Sequence, residues 1–369
     1  MWVYLWTEYI PRTFTISWEE KSNMSSGWTY SDDAVWLTAG DGAFDDFFWY
    51  SAVLLNTSWV ETAEMKQSWW VFTGAMTTLG NITNGDNVMI KFPVRWIKMS
   101  KSWSTVTLSI TEELNKDWYQ YYAHRKGSDI KDALYLGAYK MSSWYKSWSW
   151  ASPLWNQTRY TFRNWVKSAY DGSAWTNRYS QITWFPRNYI IALYMMKYGN
   201  PNSTSVVWKW YIDTSISSAT TTWWTNSQTS ATYWTSSATT QMKLFWLEDF
   251  WGNVNEFIDG CFSSGGTLSV DYTNNNFQDS YYGNNVWTPS SWYMRAIAWD
   301  NYGMFLSTTN WWGGNYYTAY QNTDTNWVRY VGGACGSGGN GGDYASIFFM
   351  SSYSSSQKWW NIGSRLMFL

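Results

Sequence analysis

The sequence predicts an α+β fold made of small antiparallel sheets and two helices, and three observations carry that expectation. Thr105-Val106-Thr107-Leu108-Ser109-Ile110 alternates polar with apolar residues, which puts Val106, Leu108 and Ile110 on one face of a strand. Two later segments instead repeat their apolar residues at helical spacing. Between such runs lie short clusters of Gly, Asn and Ser, the residues that let a chain turn back on itself.

In chain order, Thr13-Phe14-Thr15-Ile16, Ala52-Val53-Leu54-Leu55 and Trp70-Val71-Phe72 read as short strands. Asp32-Asp33 and Asp45-Asp46 fall in the connections, where loop carboxylates are solvated. The turn cluster Asn81-Ile82-Thr83-Asn84-Gly85-Asp86 marks a boundary, so residues 1–84 form a small β-rich N-terminal attachment region and residues 85–369 a second domain. Residues 88–99 partly alternate apolar with basic side chains, and Pro93, which cannot donate to a ladder, marks an edge or bulge. Leu134-Tyr135-Leu136-Gly137-Ala138-Tyr139 is a further strand.

The segment from Thr158 to Tyr170 sets Phe162, Trp165, Val166 and Tyr170 at helical spacing, with Gly172 as its stop. A second helix runs from Trp184 to Tyr198 and ends at Gly199-Asn200-Pro201. Residues 212–240, rich in Ser and Thr, read as a long surface loop. From residue 241 onward, short apolar runs between Gly/Asn/Ser clusters suggest a small antiparallel sheet with elaborate loops.

Charged residues make up 14% of the chain and the formal net charge is -2, which gives no electrostatic case for nucleic acid or an anionic membrane. No apolar run approaches the ~18 residues of a membrane span. The first residues lack the basic region and cleavage site of a signal peptide, so synthesis in a cytoplasm without general secretion is expected. Cys261 and Cys335, the two cysteines, are too few for a disulfide scaffold; they either pair with each other or stay as buried thiols.

The 34 Trp outnumber the 26 Gly. They also stand where turns are expected: Trp59 in Asn56-Thr57-Ser58-Trp59, Trp292 after Ser290-Ser291, and Trp359-Trp360 before Asn361. Turns need φ > 0, which Gly adopts freely and a bulky residue only at a cost of roughly 1–2 kcal/mol. Two readings follow. Either many of these Trp are glycines encoded by UGA in an alternative code, or the chain is a Trp-rich carbohydrate binder.

A family resemblance rests on two C-terminal stretches. Phe250-Trp251-Gly252-Asn253-Val254-Asn255-Glu256-Phe257 resembles the Gly-Asn-Val-Trp-Glu-Trp signature of the formylglycine-generating, sulfatase-modifying family. Val331-Gly332-Gly333-Ala334 and Asn361-Ile362-Gly363-Ser364-Arg365-Leu366 are similar to that family's Gly-Gly-Ser and Gly-Phe-Arg endings. Residues 88–99, Ala123-His124-Arg125-Lys126-Gly127, Leu136-Gly137-Ala138-Tyr139, Leu247-Glu248-Asp249-Phe250-Trp251-Gly252-Asn253 and Arg365-Leu366-Met367-Phe368 look like segments of phage and prophage tail proteins that carry this domain. The resemblance implies a C-type-lectin-like fold, used also by receptor-binding proteins that a diversity-generating retroelement varies. It further implies a phage tail adhesin on the virion that recognises a host-surface glycan or protein, docks on other tail proteins and forms a homo-oligomer, a trimer by analogy. Gly would then be expected where this chain has Trp36, Trp59, Trp150, Trp208, Trp210, Trp246, Trp292 and Trp299, whereas Trp96 and Trp251 match true aromatics.

The chain departs from the enzymes of that family. Asn255 and Phe257 stand where the signature has Trp, and Cys261 and Cys335 do not match the spacing of the reactive cysteine pair. An oxidase-like enzyme of the formylglycine-generating type and a purely structural tail component remain the alternatives to a non-catalytic binding protein. His124 is the one histidine, so a Ser-His-Asp or Cys-His arrangement has a single residue to depend on. Glu248, Asp249, Asn253, Glu256 and Asp259 place five oxygen donors in a short span, a set suited either to calcium or to internal salt bridges and hydrogen bonds. The binding loops are expected at residues 336–360, where Ser337, Asn340, Asp343, Tyr344, Ser346, Ser351, Ser352, Tyr353 and Ser354 combine Tyr contact area with adaptable hydrogen bonding. The same stretch also reads as a polar loop that packs the fold, with Ile347-Phe348-Phe349-Met350 as a buried strand.

Overall fold

The computed structural model describes residues 9–20, 28–65, 67–68, 71–72, 86–171, 178–207, 219–228, 230–237, 239–264, 267–280, 282, 284–287, 292–298, 306–310, 320–321, 327–333, 346–359 and 361–369. The strands up to the first long helix are β1 (Thr13–Glu19), β2 (Thr29–Asp32), β3 (Ser51–Leu55), β4 (Glu61–Met65), β5 (Asn87–Pro93), β6 (Trp96–Ser102), β7 (Thr105–Thr111) and β8 (Ala133–Lys140). After it come β9 (Tyr179–Gln181), β10 (Asn255–Ser264), β11 (Thr267–Val270), β12 (Asn285–Trp287), β13 (Trp292–Ala298), β14 (Leu306–Asn310), β15 (Tyr320–Gln321), β16 (Trp327–Val331), β17 (Met350–Tyr353), β18 (Ile362–Gly363) and β19 (Arg365–Phe368). Four helices accompany them among the described residues: α1 (Ala43–Phe48), α2 (Arg159–Tyr170), α3 (Trp184–Tyr198) and α4 (Ser203–Val206). The fold is thus mixed α+β and dominated by sheets.

Three sheets organise the chain. One has the order β2-β1-β7-β6, a second β9-β19-β8-β5-β3-β4, and the third β12-β11-β10-β16-β17-β15-β13-β14 with β18 beside β10. Most pairs are antiparallel; β10 with β18 and β15 with β17 are parallel. The boundary expected near residue 84 does not separate two sheets. β1 pairs with β7 over Thr13↔Thr111 to Glu19↔Thr105, and β3 pairs with β5 over Ser51↔Lys91 to Leu55↔Asn87. The apolar faces of the early strands could be buried only against later ones, and Phe14, Ile16 and Phe44 share a core with Ile190, Leu193 and Trp251.

The single strand expected over residues 88–99 is two. Pro93 ends β5, Val94 donates its N–H to Asp132 at 2.8 Å, and the chain crosses to the other sheet as β6. Helix α2 begins just after Thr158, whose hydroxyl caps it by accepting from Thr161 N at 3.0 Å. In α3 every residue is buried, so it acts as a central rod rather than a surface helix. Gly199 closes it at φ 59, the left-handed cap that glycine adopts without strain. The described part of the Ser/Thr-rich stretch forms no helix or named strand and is mostly exposed or half-buried, as a surface loop should be, but Thr222, Thr225 and Asn226 turn inward. Thr222 bonds the carbonyls of Trp148 and Ala151, Thr225 bonds Glu248, and Asn226 bonds Tyr139 and Ser149.

Two sets of tryptophans stand out. Trp18, Trp96 and Trp251 are buried, and Trp251 meets Tyr194 edge-on at 6.5 Å. Trp49, Trp59, Trp103, Trp118, Trp150 and Trp246 have φ of 45, 65, 55, 69, 59 and 66°, and of these Trp246 is buried as well. Trp292, expected in a turn, opens β13; Trp208, Trp210, Trp299 and Trp360 lie outside the described residues.

Candidate functional site

The motif segments come together. Gly252 N points at the carbonyls of Gly332 and Gly333, each at 3.1 Å. Asn255 and Glu256 pair with Ile362 and Gly363 across β10 and β18. At Gly363 a Cβ would stand 2.7 Å from Leu154 O and 3.0 Å from Val254 Cγ2, so only glycine lets the chain approach this closely. That approach seats Arg365. Its Nε donates to Glu256 Oε1 at 2.8 Å, Nη1 to Gly137 O at 2.6 Å, and Nη2 to Glu248 O at 2.7 Å. Lys140 Nζ reaches the same Glu256 oxygen at 3.0 Å. Burial alone would raise the Glu256 carboxyl, but Arg365, Lys140 and Arg187 hold it below the ordinary range.

Most other oxygens of this block are also engaged, but Asp249 Oδ1, Asn255 Oδ1 and Glu256 Oε2 are buried without a hydrogen-bond partner among the described residues. Glu248 accepts from Trp223 N at 3.0 Å and from the Thr225 hydroxyl at 2.6 Å. Burial, with Asp249 next to it, pushes its carboxyl up to about 8. Asp249 accepts from Gln241 and from Asn253 Nδ2, the latter at 3.0 Å. Asp259 takes both Nε and Nη2 of Arg163 at 2.8 and 2.9 Å. Among the described residues no group of three or more His, Cys, Asp and Glu is arranged to hold a metal ion.

Sequence reasoning missed the cations of this network, although a signal was there. Arg159 and Arg163 sit four residues apart on the α2 stripe that carries Phe162 and Val166, so both are drawn inward. Arg159 donates to the carbonyls of Ile258 and Cys261, at 2.9 and 2.6 Å. Nor is Asp45 a solvated loop carboxylate. It lies in α1, buried, and binds Lys197 Nζ through both oxygens at 2.6 and 2.7 Å and the Tyr50 hydroxyl at 2.7 Å. Asp46 beside it lines a cleft of about 460 Å³ with Arg12, Trp49, Ser51 and Glu64. Desolvation and the neighbouring Asp45 raise the Asp46 carboxyl.

His124 is fully buried, with Nε2 3.3 Å from Phe92 O and its ring edge-on to Tyr189 at 4.9 Å. Burial lowers its imidazole to about 3, so it is neutral and holds structure at neutral pH. Cys261 is buried in β10, its thiol raised to about 12 by burial. A thiol so placed is not a nucleophile. Cys335 lies outside the described residues.

Of the expected binding residues, Ser337, Asn340, Asp343 and Tyr344 lie outside the described residues. Ser346 is buried, as are Ser351 and Ser352 in β17, which pair with Tyr330 and Arg329 of β16. Ile347, Phe348 and Phe349 are buried just ahead of that strand rather than in it. At the end of β17 the chain emerges. Tyr353 is half-buried and lies parallel to Tyr330, with centroids 4.9 Å apart and planes 10° apart. Beyond it the Ser354 and Ser356 hydroxyls meet at 3.1 Å on the surface. The structure thus brings Tyr353 and Ser354 together at a rim, and it places Ser346, Ser351 and Ser352 inside.

Compared with known proteins, the chain matches no family model and no curated sequence. No helix among the described residues is long and apolar enough to cross a membrane.

Proposed function

We propose that this chain is a non-catalytic binding protein, a phage tail adhesin whose lectin-like, formylglycine-generating-enzyme-type domain presents its C-terminal loops to a host-surface glycan or protein. The observation that carries this reading is the rim at the end of β17. Tyr353 is stacked between neighbours Tyr330 and Trp359, the latter exposed at the rim, and hydroxyls follow it at Ser354 and Ser356. A pre-positioned aromatic face beside adaptable hydroxyls gives contact area at low entropic cost, which is how paratope-like surfaces bind. The motif block supports the same reading from the other side. Its carboxylates are buried and each is bound through at least one oxygen to Arg365, Lys140, Arg163 or amide partners, which supports a scaffold role. One such patch binds weakly, and homo-oligomeric display on a tail would multiply its strength through effective concentration.

The test is binding of the full chain to a glycan array and to intact host cells. Tyr353→Ala and Ser354→Ala should each weaken a recorded interaction while circular dichroism stays unchanged. Binding that is indifferent to both substitutions, or absent from all surfaces tried, would favour the structural tail component instead.

A further inference from the structure

Six tryptophans occupy backbone positions that belong to glycine. In the hairpin of Lys243–Leu244 with Leu247–Glu248, Leu244 pairs with Leu247, so the loop is Phe245–Trp246, and both residues have positive φ, 49 and 66°. That is a type I′ turn, whose second central residue is normally Gly. β6 and β7 close at Ser102↔Thr105, which leaves Trp103 as the first central residue of a two-residue hairpin at φ 55°. Between β3 and β4, Trp59 N donates to Asn56 O at 3.1 Å and Asn56 N to Val60 O at 3.1 Å, with Trp59 left-handed in the turn. Trp49 ends α1 at φ 45°, ψ 51°, the left-handed helix cap.

None of these conformations suits a bulky side chain, which pays steric strain in the left-handed region. Nor do the other large aromatics adopt them comparably. Among the described residues the 29 Tyr and 17 Phe of the chain supply one case each, Tyr145 and Phe245, against six from the 34 Trp at φ between 45 and 69°. Packing offers no compensation for Trp49, Trp103 and Trp118, which are 70%, 97% and 82% exposed. Strain without burial is unexplained if the residue is tryptophan, and it vanishes if the residue is glycine.

We propose that positions 49, 59, 103, 118, 150 and 246 are glycine in the protein as its native cell makes it, each encoded by UGA read as glycine. Trp18, Trp96 and Trp251, which are buried and outside the left-handed region, are tryptophan encoded by UGG. These six of the 34 Trp are then a product of decoding and not part of a sugar-binding surface. The experiment has two arms. Codons are read at all nine positions, and peptides of the protein isolated from its native source are weighed by mass spectrometry. The proposal expects UGA at the six and UGG at the three, with glycine masses at the six. A UGG codon at any of the six, or a tryptophan mass at a UGA position, overturns it there. As an independent measure, the recombinant chain carrying glycine at the exposed positions 49, 103 and 118 should unfold at higher urea than the tryptophan chain; earlier unfolding overturns the backbone argument.

Discussion

Arg365 Nε and Lys140 Nζ lie 2.8 and 3.0 Å from one oxygen, Oε1 of Glu256, and all three side chains are sealed from solvent. One carboxylate thus answers two cations. Burial pushes the Lys140 ammonium down to about 8 even with Glu256 beside it, because Arg365 competes for the same charge. Removing Glu256 would leave two buried cations without their carboxylate, so Glu256→Gln should cost about 3–5 kcal/mol; Arg365→Met leaves Glu256 paired with Lys140 and should cost less. Because the two act as a unit, the double variant should cost less than the sum by roughly 0.5–3 kcal/mol. Urea titration of the four proteins measures the coupling; strict additivity would mean the pair is not energetically linked.

This pair also shows how far the sequence was legible. Residues 250–257 and 361–366 stood out as motifs, yet nothing in their spacing said that they meet, since that depends on β18 lying parallel to β10. Local elements were readable for local reasons: the helical spacing of Phe162, Val166 and Tyr170, the Gly199 stop and the alternation in β7 are short-range signals. The role of Asp45 was not readable, because Lys197 is far along the chain and the helix that carries Asp45 spans only Ala43–Phe48. The serines around Tyr353 were singled out by composition and by resemblance. Composition does not say which serines a strand will bury, and so Ser351 and Ser352 were indistinguishable from Ser354.

His124 gives the fold an acid-side weakness. Its folded pKa is about 3, against 6.5 for an exposed histidine, because burial disfavours the imidazolium. Between these values the unfolded chain binds a proton that the folded one refuses, so stability falls as pH drops below 6.5. The loss is about 1.4 kcal/mol per pH unit from this residue. Denaturation midpoints from pH 7 to pH 4.5 should therefore decline less steeply in His124→Gln than in the parent. Equal slopes would show that the imidazole is protonated inside the fold.

Cys261 should be silent toward alkylating reagents in the native state. Its thiol is buried and raised to about 12, so both the thiolate fraction and access are low. In a Cys335→Ser background, iodoacetamide at pH 8 should modify Cys261 only at the rate of global opening, and urea should accelerate the reaction in step with unfolding. Prompt labelling of the folded protein would instead restore the cysteine-dependent enzyme as a serious reading.

Gly363 is where the Arg365 site is most easily spoiled without touching a charge. A methyl group there would stand 2.7 Å from the Leu154 carbonyl oxygen, and that carbonyl belongs to backbone which cannot swing away as a side-chain tip could. Strand β18 must then shift off β10, and the shift carries Arg365, two residues along, away from Glu256. Gly363→Ala should accordingly cost more than the ~1–3 kcal/mol of ordinary overpacking. Gly40 makes the control: it has positive φ, but an added Cβ would find only Tyr198 Cε1 at 3.9 Å, so its alanine variant meets backbone strain and no clash. The larger fall in urea midpoint should belong to Gly363→Ala. It should also shrink in an Arg365→Met background, where there is no longer an ion pair to displace; an unchanged penalty there would confine the effect to the Leu154 contact.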